Sequence, residues 1–242
     1  MLKPIRSVAW LVLLALSVTL VPRLSLGGGR AVLAEADFPT VILDAGHGGE
    51  DGGAVGVSGV LEKELNLDVA CRLATLLSEA GVKVILTRKD DRMLYREGEN
   101  IPGKRKYYDL KNRIAYAEQD PGALFISIHM NSFSDARYAG LQVWCAETEG
   151  SRALAESVAG EVKARLQPNN RRRVKTADGK LFLLSRAPGR AILVECGFLS
   201  NREECEMLST EDYRRELSFA IFCGIMRYLE ENCGEDALPE SG

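Results

Sequence analysis

Apolar positions along the chain follow two rhythms. Thr40-Val41-Ile42-Leu43-Asp44 is a short β-branched run that ends in a glycine-rich loop. From 62 to 80, Leu65, Val69, Leu73, Leu76, Leu77 and Ala80 recur at helical spacing, and Gly81 stops the helix. Val82 to Thr87 reads as the next strand. Residues 88–108 are charged and carry Gly98, Pro102 and Gly103, the signature of a long loop. Helical spacing returns over 109–119 through Leu110, Ile114 and Ala117, and Pro121-Gly122 turns into the apolar strand Ala123 to Ile128. Leu141 to Trp144 is a shorter strand. An amphipathic helix follows over 150–166, then a polar, basic stretch over 167–180. Ala191 to Val194 reads as a buried strand, 211–231 as a closing helix, and 232–242 as a flexible tail.

Apolar strands separated by helices predict an α/β domain with a mostly parallel sheet covered on both faces. Such folds place ligand sites at the carboxyl ends of strands. One further apolar run, Val8 to Val21, follows Lys3 and Arg6 and ends at Pro22. Its 14 residues suit a signal h-region and fall short of the roughly 20 that span a membrane. Ala34-Glu35-Ala36 resembles a small-x-small cleavage site but lies far from the run. Residues 1–36 are therefore expected to be a signal peptide or a membrane anchor, with 37–231 as the catalytic domain. No lipobox cysteine follows the run.

Composition narrows the classes. The 242 residues are 46% hydrophobic and 27% charged, which excludes a disordered or collagen-like chain. The net charge is −3, and beyond residue 36 it is −6, with 27 basic against 33 acidic residues. That balance gives no reason to expect nucleic acid as a partner. Any membrane association is expected only through the N-terminal segment. The six cysteines form no C-x-x-C pair, so a cysteine-based zinc site is not expected. Export permits disulfides, yet Cys71, Cys196 and Cys223 sit in apolar patterns that suit buried thiols.

Candidate chemistry lies where three strands end. Asp44-Ala45-Gly46-His47-Gly48-Gly49 follows the first, Ile128-His129-Met130-Asn131 the third, and Leu193-Val194-Glu195-Cys196-Gly197 closes the late one. The chain has only two histidines, and both fall directly after predicted strands. Neutral imidazoles bind zinc well, and catalytic zinc sites often combine two histidines with a glutamate. Glu62 opens the 62–80 helix just past the glycine loop, where the helix dipole favours an ionised carboxylate. A plain N-terminal helix charge is the competing reading of Glu62, and Glu64 is the competing ligand. Glu195 stands at the end of an apolar run, an expensive place for an unpaired charge. It reads either as a salt-bridge partner or as the general base and acid beside a zinc-activated water. Asn131 and Ser200-Asn201 are candidates for contacts to the metal loops or substrate, or for turns. The glycine loop lacks the third glycine of the dinucleotide pattern, and the P-loop Lys-Ser/Thr is missing. Its glycines instead let the backbone bend so that His47 faces a pocket. Arg171, Arg172, Arg173 and Lys175 are candidates to contact anionic glycan or peptide carboxylates, or form a solvated loop.

Four ordered segments resemble the zinc-dependent N-acetylmuramoyl-L-alanine amidases of the amidase 3 family. These are Val41-Ile-Leu-Asp-Ala-Gly-His-Gly-Gly, Gly59-Val-Leu-Glu-Lys, Phe125-Ile-Ser-Ile-His-Met-Asn and Leu193-Val-Glu-Cys-Gly-Phe-Leu-Ser-Asn. The resemblance runs from about Thr40 to Tyr228. It implies a three-layer α/β/α fold, His47, Glu62 and His129 as zinc ligands, and Glu195 as the catalytic acid/base. It further implies cleavage of the amide between the muramic acid lactyl group and L-alanine, with peptidoglycan glycan strands and stem peptides as partners. An activating partner protein also fits the resemblance. Lys106-Tyr-Tyr-Asp-Leu-Lys-Asn-Arg, with no wall-binding repeat, resembles the small spore-germination amidases that act on spore cortex. An extracytoplasmic location follows, secreted, membrane-anchored or in the spore envelope. No long autoinhibitory helix is visible between the second and third segments, and 88–108 reads as a mobile rim. Two rivals share the donor set or the location: a zinc peptidase or carboxypeptidase acting on wall peptides, and a noncatalytic wall-binding protein.

Overall fold

The β-branched run predicted first is strand β1 (Val41–Ala45), fully buried along its length. In the computed structural model it pairs in parallel with β2 (Val84–Leu86) on one side and β3 (Leu124–Asn131) on the other. β6 (Ala191–Phe198) continues the parallel sheet beside β3. β4 (Gln142–Cys145) pairs antiparallel with β6, and the two-residue β5 (Lys175–Thr176) edges β4. The order is β2-β1-β3-β6-β4-β5, a six-stranded mixed sheet. The structure describes residues 38–179 and 181–233. The expected export segment and the tail beyond Cys233 lie outside them.

Side chains on each strand alternate between two cores, as strand geometry requires. Val41, Leu43, Ile126, Ile128, Ile192 and Val194 face a large core under α1 (Glu62–Glu79), α3 (Ser151–Arg165) and α5 (Glu211–Cys233). Ile42, Phe125, Ala191 and Leu193 face a smaller core closed by α2 (Arg105–Gln119) and the 181–187 segment. This is the α/β/α layering that the resemblance implied. Close crossing of α3 and α5 depends on Gly224. A Cβ there would stand 2.5 Å from the Val158 Cα, and the bare carbonyl accepts a hydrogen bond from Ser157 Oγ at 2.8 Å.

Several elements differ from the sequence reading. Helix α2 starts at Arg105 rather than 109, because its first turn is charged and aromatic and carries no apolar rhythm. Helix α4 (Arg202–Ser209) went unread, although Asn201 caps it by accepting from Glu204 N at 3.1 Å. Helix α5 runs to Cys233, into the expected tail. Residues 88–108 are tied down rather than a mobile rim. Lys63 Nζ meets Asp91 Oδ2 at 2.7 Å, Leu94 N donates to Asp109 Oδ1 at 2.7 Å, and Glu97–Glu99 forms a 3-10 turn. Cys71, Cys145, Cys196, Cys205 and Cys223 are free thiols. Among the described residues, no helix is long and apolar enough to cross a membrane.

Candidate active site

Strands β3 and β6 outrun their apolar stretches. His129 and Glu195 therefore sit inside strands rather than after them, directly opposite each other in the parallel ladder. Beyond them the register slips by one residue, a β-bulge of the kind that re-aims side chains beside functional sites. His47 comes from the loop after β1 and holds a left-handed backbone at φ 61, the single positive-φ non-glycine among the described residues. Glu62 is the first residue of α1, where the dipole favours its charge. Glu64 is exposed and takes no part in the cluster.

These side chains meet at one carboxylate oxygen. Glu62 Oε1 lies 3.2 Å from His47 Nε2, 3.0 Å from His129 Nδ1 and 3.1 Å from Met130 N. Its Oε2 accepts from Ala54 N at 2.8 Å. Ligand atoms of His47, Glu62 and His129 all fall within 4.8 Å of one another. Donors about 2.0–2.2 Å from a tetrahedral zinc stand about 3.4 Å apart, so this spacing and donor set fit such an ion. The glycine before His47 makes the approach feasible: a Cβ on Gly46 would stand 2.3 Å from the His129 ring.

Electrostatics separate the two glutamates. Burial would raise the Glu62 carboxyl, but His129 and His47 beside it hold it below the usual carboxylate range. Burial first, then the Glu62 charge, pushes Glu195 up to about 8, with His47 partly offsetting them. Glu195 Oε2 is buried with no hydrogen-bond partner among the described residues, and none of them forms a salt bridge with it. Burial lowers the His47 imidazole, yet the carboxylates of Asp51 and Glu62 outweigh it and bring it to about 9. Asp51 Oδ2 is 2.9 Å from His47 Nδ1, near enough for an ion pair but not aligned for a hydrogen bond.

A supporting shell was not read from the sequence. Asn66 Nδ2 donates to the Gly46 carbonyl at 3.1 Å. Arg88 is 1% exposed and donates to the carbonyls of Ala45, Gly46, Lys63 and Asp90 at 2.8–3.0 Å. Arg113, equally buried, donates to the carbonyls of Ala45 and His47 at 2.7 and 2.6 Å and to Asp44 Oδ1 at 2.6 Å. Asp44 is fully buried and also accepts from Thr87 Oγ1 and Ser127 Oγ, each at 2.7 Å. The available signal was a charge, Asp44, at the end of an apolar strand.

A cavity of about 230 Å³ opens on the histidines and is lined further by Asp51, Lys106, Phe182 and Leu193. A larger cleft of about 750 Å³ beside α4 contains none of the four candidate residues. Ser200 and Asn201 serve turns: Ser200 Oγ accepts from Phe133 N at 3.0 Å, and Asn201 caps α4.

A half-buried pair of histidines, a shared buried carboxylate and an acid whose Oε2 has no hydrogen-bond partner among the described residues, at a sheet's carboxyl edge, define a hydrolase-like centre. The family model for N-acetylmuramoyl-L-alanine amidase matches residues 41–227. A germination-specific N-acetylmuramoyl-L-alanine amidase of Bacillus subtilis (strain 168) is 35% identical over 192 residues, 79% of this chain and 80% of the relative. The CwlD amidase of Clostridioides difficile, solved in complex with the GerS lipoprotein, matches with a TM-score of 0.76 and 38% identity. That match covers 80% of this chain and 100% of the other. The catalytic domain of CwlV, an amidase from Bacillus (Paenibacillus) polymyxa, matches at 0.66 and 29% identity over 79% of this chain and 98% of its own. The chain belongs to the amidase 3 family. It is an N-acetylmuramoyl-L-alanine amidase acting on peptidoglycan, and its work is extracytoplasmic.

Proposed function

We propose that His47, Glu62 and His129 hold a zinc ion and that Glu195 moves the proton during cleavage of the muramoyl–L-alanine amide. The observation that carries this reading is the convergence of both imidazoles on one Glu62 oxygen, with Glu195 Oε2, unpartnered among the described residues, on the neighbouring strand. When bound, zinc polarises the scissile carbonyl and acidifies water at the site. Glu195 takes a proton from the attacking water and returns it to the departing alanine nitrogen. A carboxyl raised toward neutrality by burial suits both transfers. Backbone bonds from Ala54 and Met130 fix Glu62, and the Gly46 gap leaves room for the His129 ring. The competing peptidase reading is not favoured by these three relatives, each an amidase.

Mass spectrometry of digested peptidoglycan separates the readings. Intact stem peptides with a free N-terminal alanine should accumulate, and a chelator should abolish them. Single amino acids as products would instead show a peptidase. A second outcome tests the metal shell: Gly46→Ala, which drives a methyl into the His129 ring, should weaken zinc binding about 10–100-fold. Competition against a chromogenic chelator reads that loss, and wild-type affinity would contradict it.

The likeness to a germination-specific relative supports a role in spore cortex. Residues 1–36 as an export signal or anchor, 37–231 as the catalytic unit and 232–242 as a tail complete the proposal. The spore envelope is then the site of action. The lipoprotein seen with the Clostridioides difficile relative supports a protein partner for this chain as well.

A further inference from the structure

The basic run 171–175 divides in the fold. Arg171 lines the larger cleft beside α4, whereas Lys175 lines a separate pocket of about 300 Å³ and Arg172 borders both. We propose that this smaller pocket, built by Asn131, Gln142, Trp144, Arg172, Lys175 and Phe198, binds a free carboxylate of the substrate's peptide. The inference rests on the muramoyl–alanine cleavage proposed above.

Strand register places the pocket next to the chemistry. His129 stands opposite Glu195, and Glu195 opposite Gln142, so the three form a row across β3, β6 and β4. Directly opposed residues project to the same face of a sheet. Leu193 and Trp144 form a second such pair, the former lining the histidine cavity and the latter the pocket. The two recesses are therefore neighbours on one face. Without the bulge, Phe198 would share the face of Ile192 and Val194. The extra residue turns it to the side of Asn131, where it lines the pocket.

The chemistry of the walls selects an anion on a partly apolar arm. The Arg172 guanidinium lies 4.5 Å from the Phe198 ring centroid and 5.4 Å from that of Tyr138, with Nε fixed on the Ala139 carbonyl at 2.7 Å. Lys175 Nζ stands 4.9 Å over Trp144. No carboxylate among the described residues lies within ion-pair distance of either cation, although the Arg172 charge reaches the buried Glu204 carboxyl and favours its ionised form. Amide formation consumes the lactyl carboxylate and the acetylated sugars are neutral, so the substrate's free carboxylates lie on its peptide. Two strand spacings of about 4.8 Å put Gln142, in the pocket wall, about 10 Å from His129. An extended peptide covers that in about three residues. The carboxylate held is thus one a few residues beyond the scissile bond, on the leaving-group side.

Calorimetric titration of the full chain with two synthetic peptides tests this without turnover. Both begin with L-alanine and carry the wall-peptide sequence; one has free carboxylates and the other has them amidated. Wild type should bind the free-acid peptide about tenfold more tightly, the weight of one charge-assisted contact. Lys175→Arg should keep that preference, and Lys175→Glu should reverse it in favour of the amidated peptide. Unfolding cannot produce a reversal, because it would weaken both. Equal wild-type binding of the two peptides, or a preference untouched by Lys175→Glu, overturns the subsite. Binding of the free-acid peptide by an enzyme that cleaves no muroglycan would count against the reaction and leave the subsite standing.

Discussion

Glu195→Gln should lower kcat on peptidoglycan by about 10²–10⁴-fold, the usual weight of a lost general acid–base group. The substitution keeps the shape of the side chain and removes its ability to carry a proton away from water and back to nitrogen. The same change should leave the melting temperature equal or higher. In the native fold Glu195 Oε2 is buried with no hydrogen-bond partner among the described residues, and an amide of the same shape never carries the charge that burial disfavours there. Zinc content should also persist, because the convergent donors belong to His47, Glu62 and His129. Three measurements on one variant therefore separate the roles: single-turnover rate, thermal melt and metal content. Wild-type turnover would falsify the proton-transfer role. Loss of zinc together with activity would instead place Glu195 among the ligands.

The four residues at the centre were legible because their chemistry is rare for their surroundings. Two histidines in the whole chain and a glutamate within an apolar strand are conspicuous in any sequence. Strand ends were legible only to within a few residues. Alternation carries the β3 and β6 ladders onward through polar residues, so His129 and Glu195 lie inside strands that apolar content alone terminates too soon. The first turn of α2 was invisible because it faces the cavity with Lys106 and packs Tyr107 against Phe182, with no apolar period to betray it. Arg88 and Arg113 were hidden for a different reason. Arginine in a charged stretch reads as solvated, and nothing in the local sequence announces that the partners are backbone carbonyls more than 40 and 60 residues away. Buried arginines whose donors are consumed by carbonyls are set by tertiary structure alone. The basic run 171–175 shows the same limit, since only the fold distributes its members between two recesses.

Arg113→Met should destabilise the protein by about 3–5 kcal/mol, the cost of stranding a buried charge. For a domain of this size, that corresponds to a fall of roughly 10 °C in melting temperature. Asp44 and Asp109 are both stranded, and Asp44 is the more deeply buried of the two. Full burial opposes its charge, yet Arg113, Ser127 and Thr87 together outweigh that burial and hold it below the ordinary carboxylate range. Adding Asp44→Asn to Arg113→Met should recover part of the loss, because one of the two uncompensated carboxylates is then neutral while Asp109 remains, and a double-mutant cycle measures the coupling. Arg113→Lys should rescue poorly. The guanidinium reaches Asp44, Asp109 and the carbonyls of Ala45 and His47 at once, a fork that a single ammonium cannot reproduce. The bond to the His47 carbonyl links this network to the site, since it helps hold a histidine in the left-handed backbone region. Zinc affinity in Arg113→Met should accordingly fall at temperatures well below its melt. A variant that melts like wild type and binds zinc normally would mean that the loop carrying His47 is held by Arg88 and Asn66 without help from the Asp44–Arg113 pair.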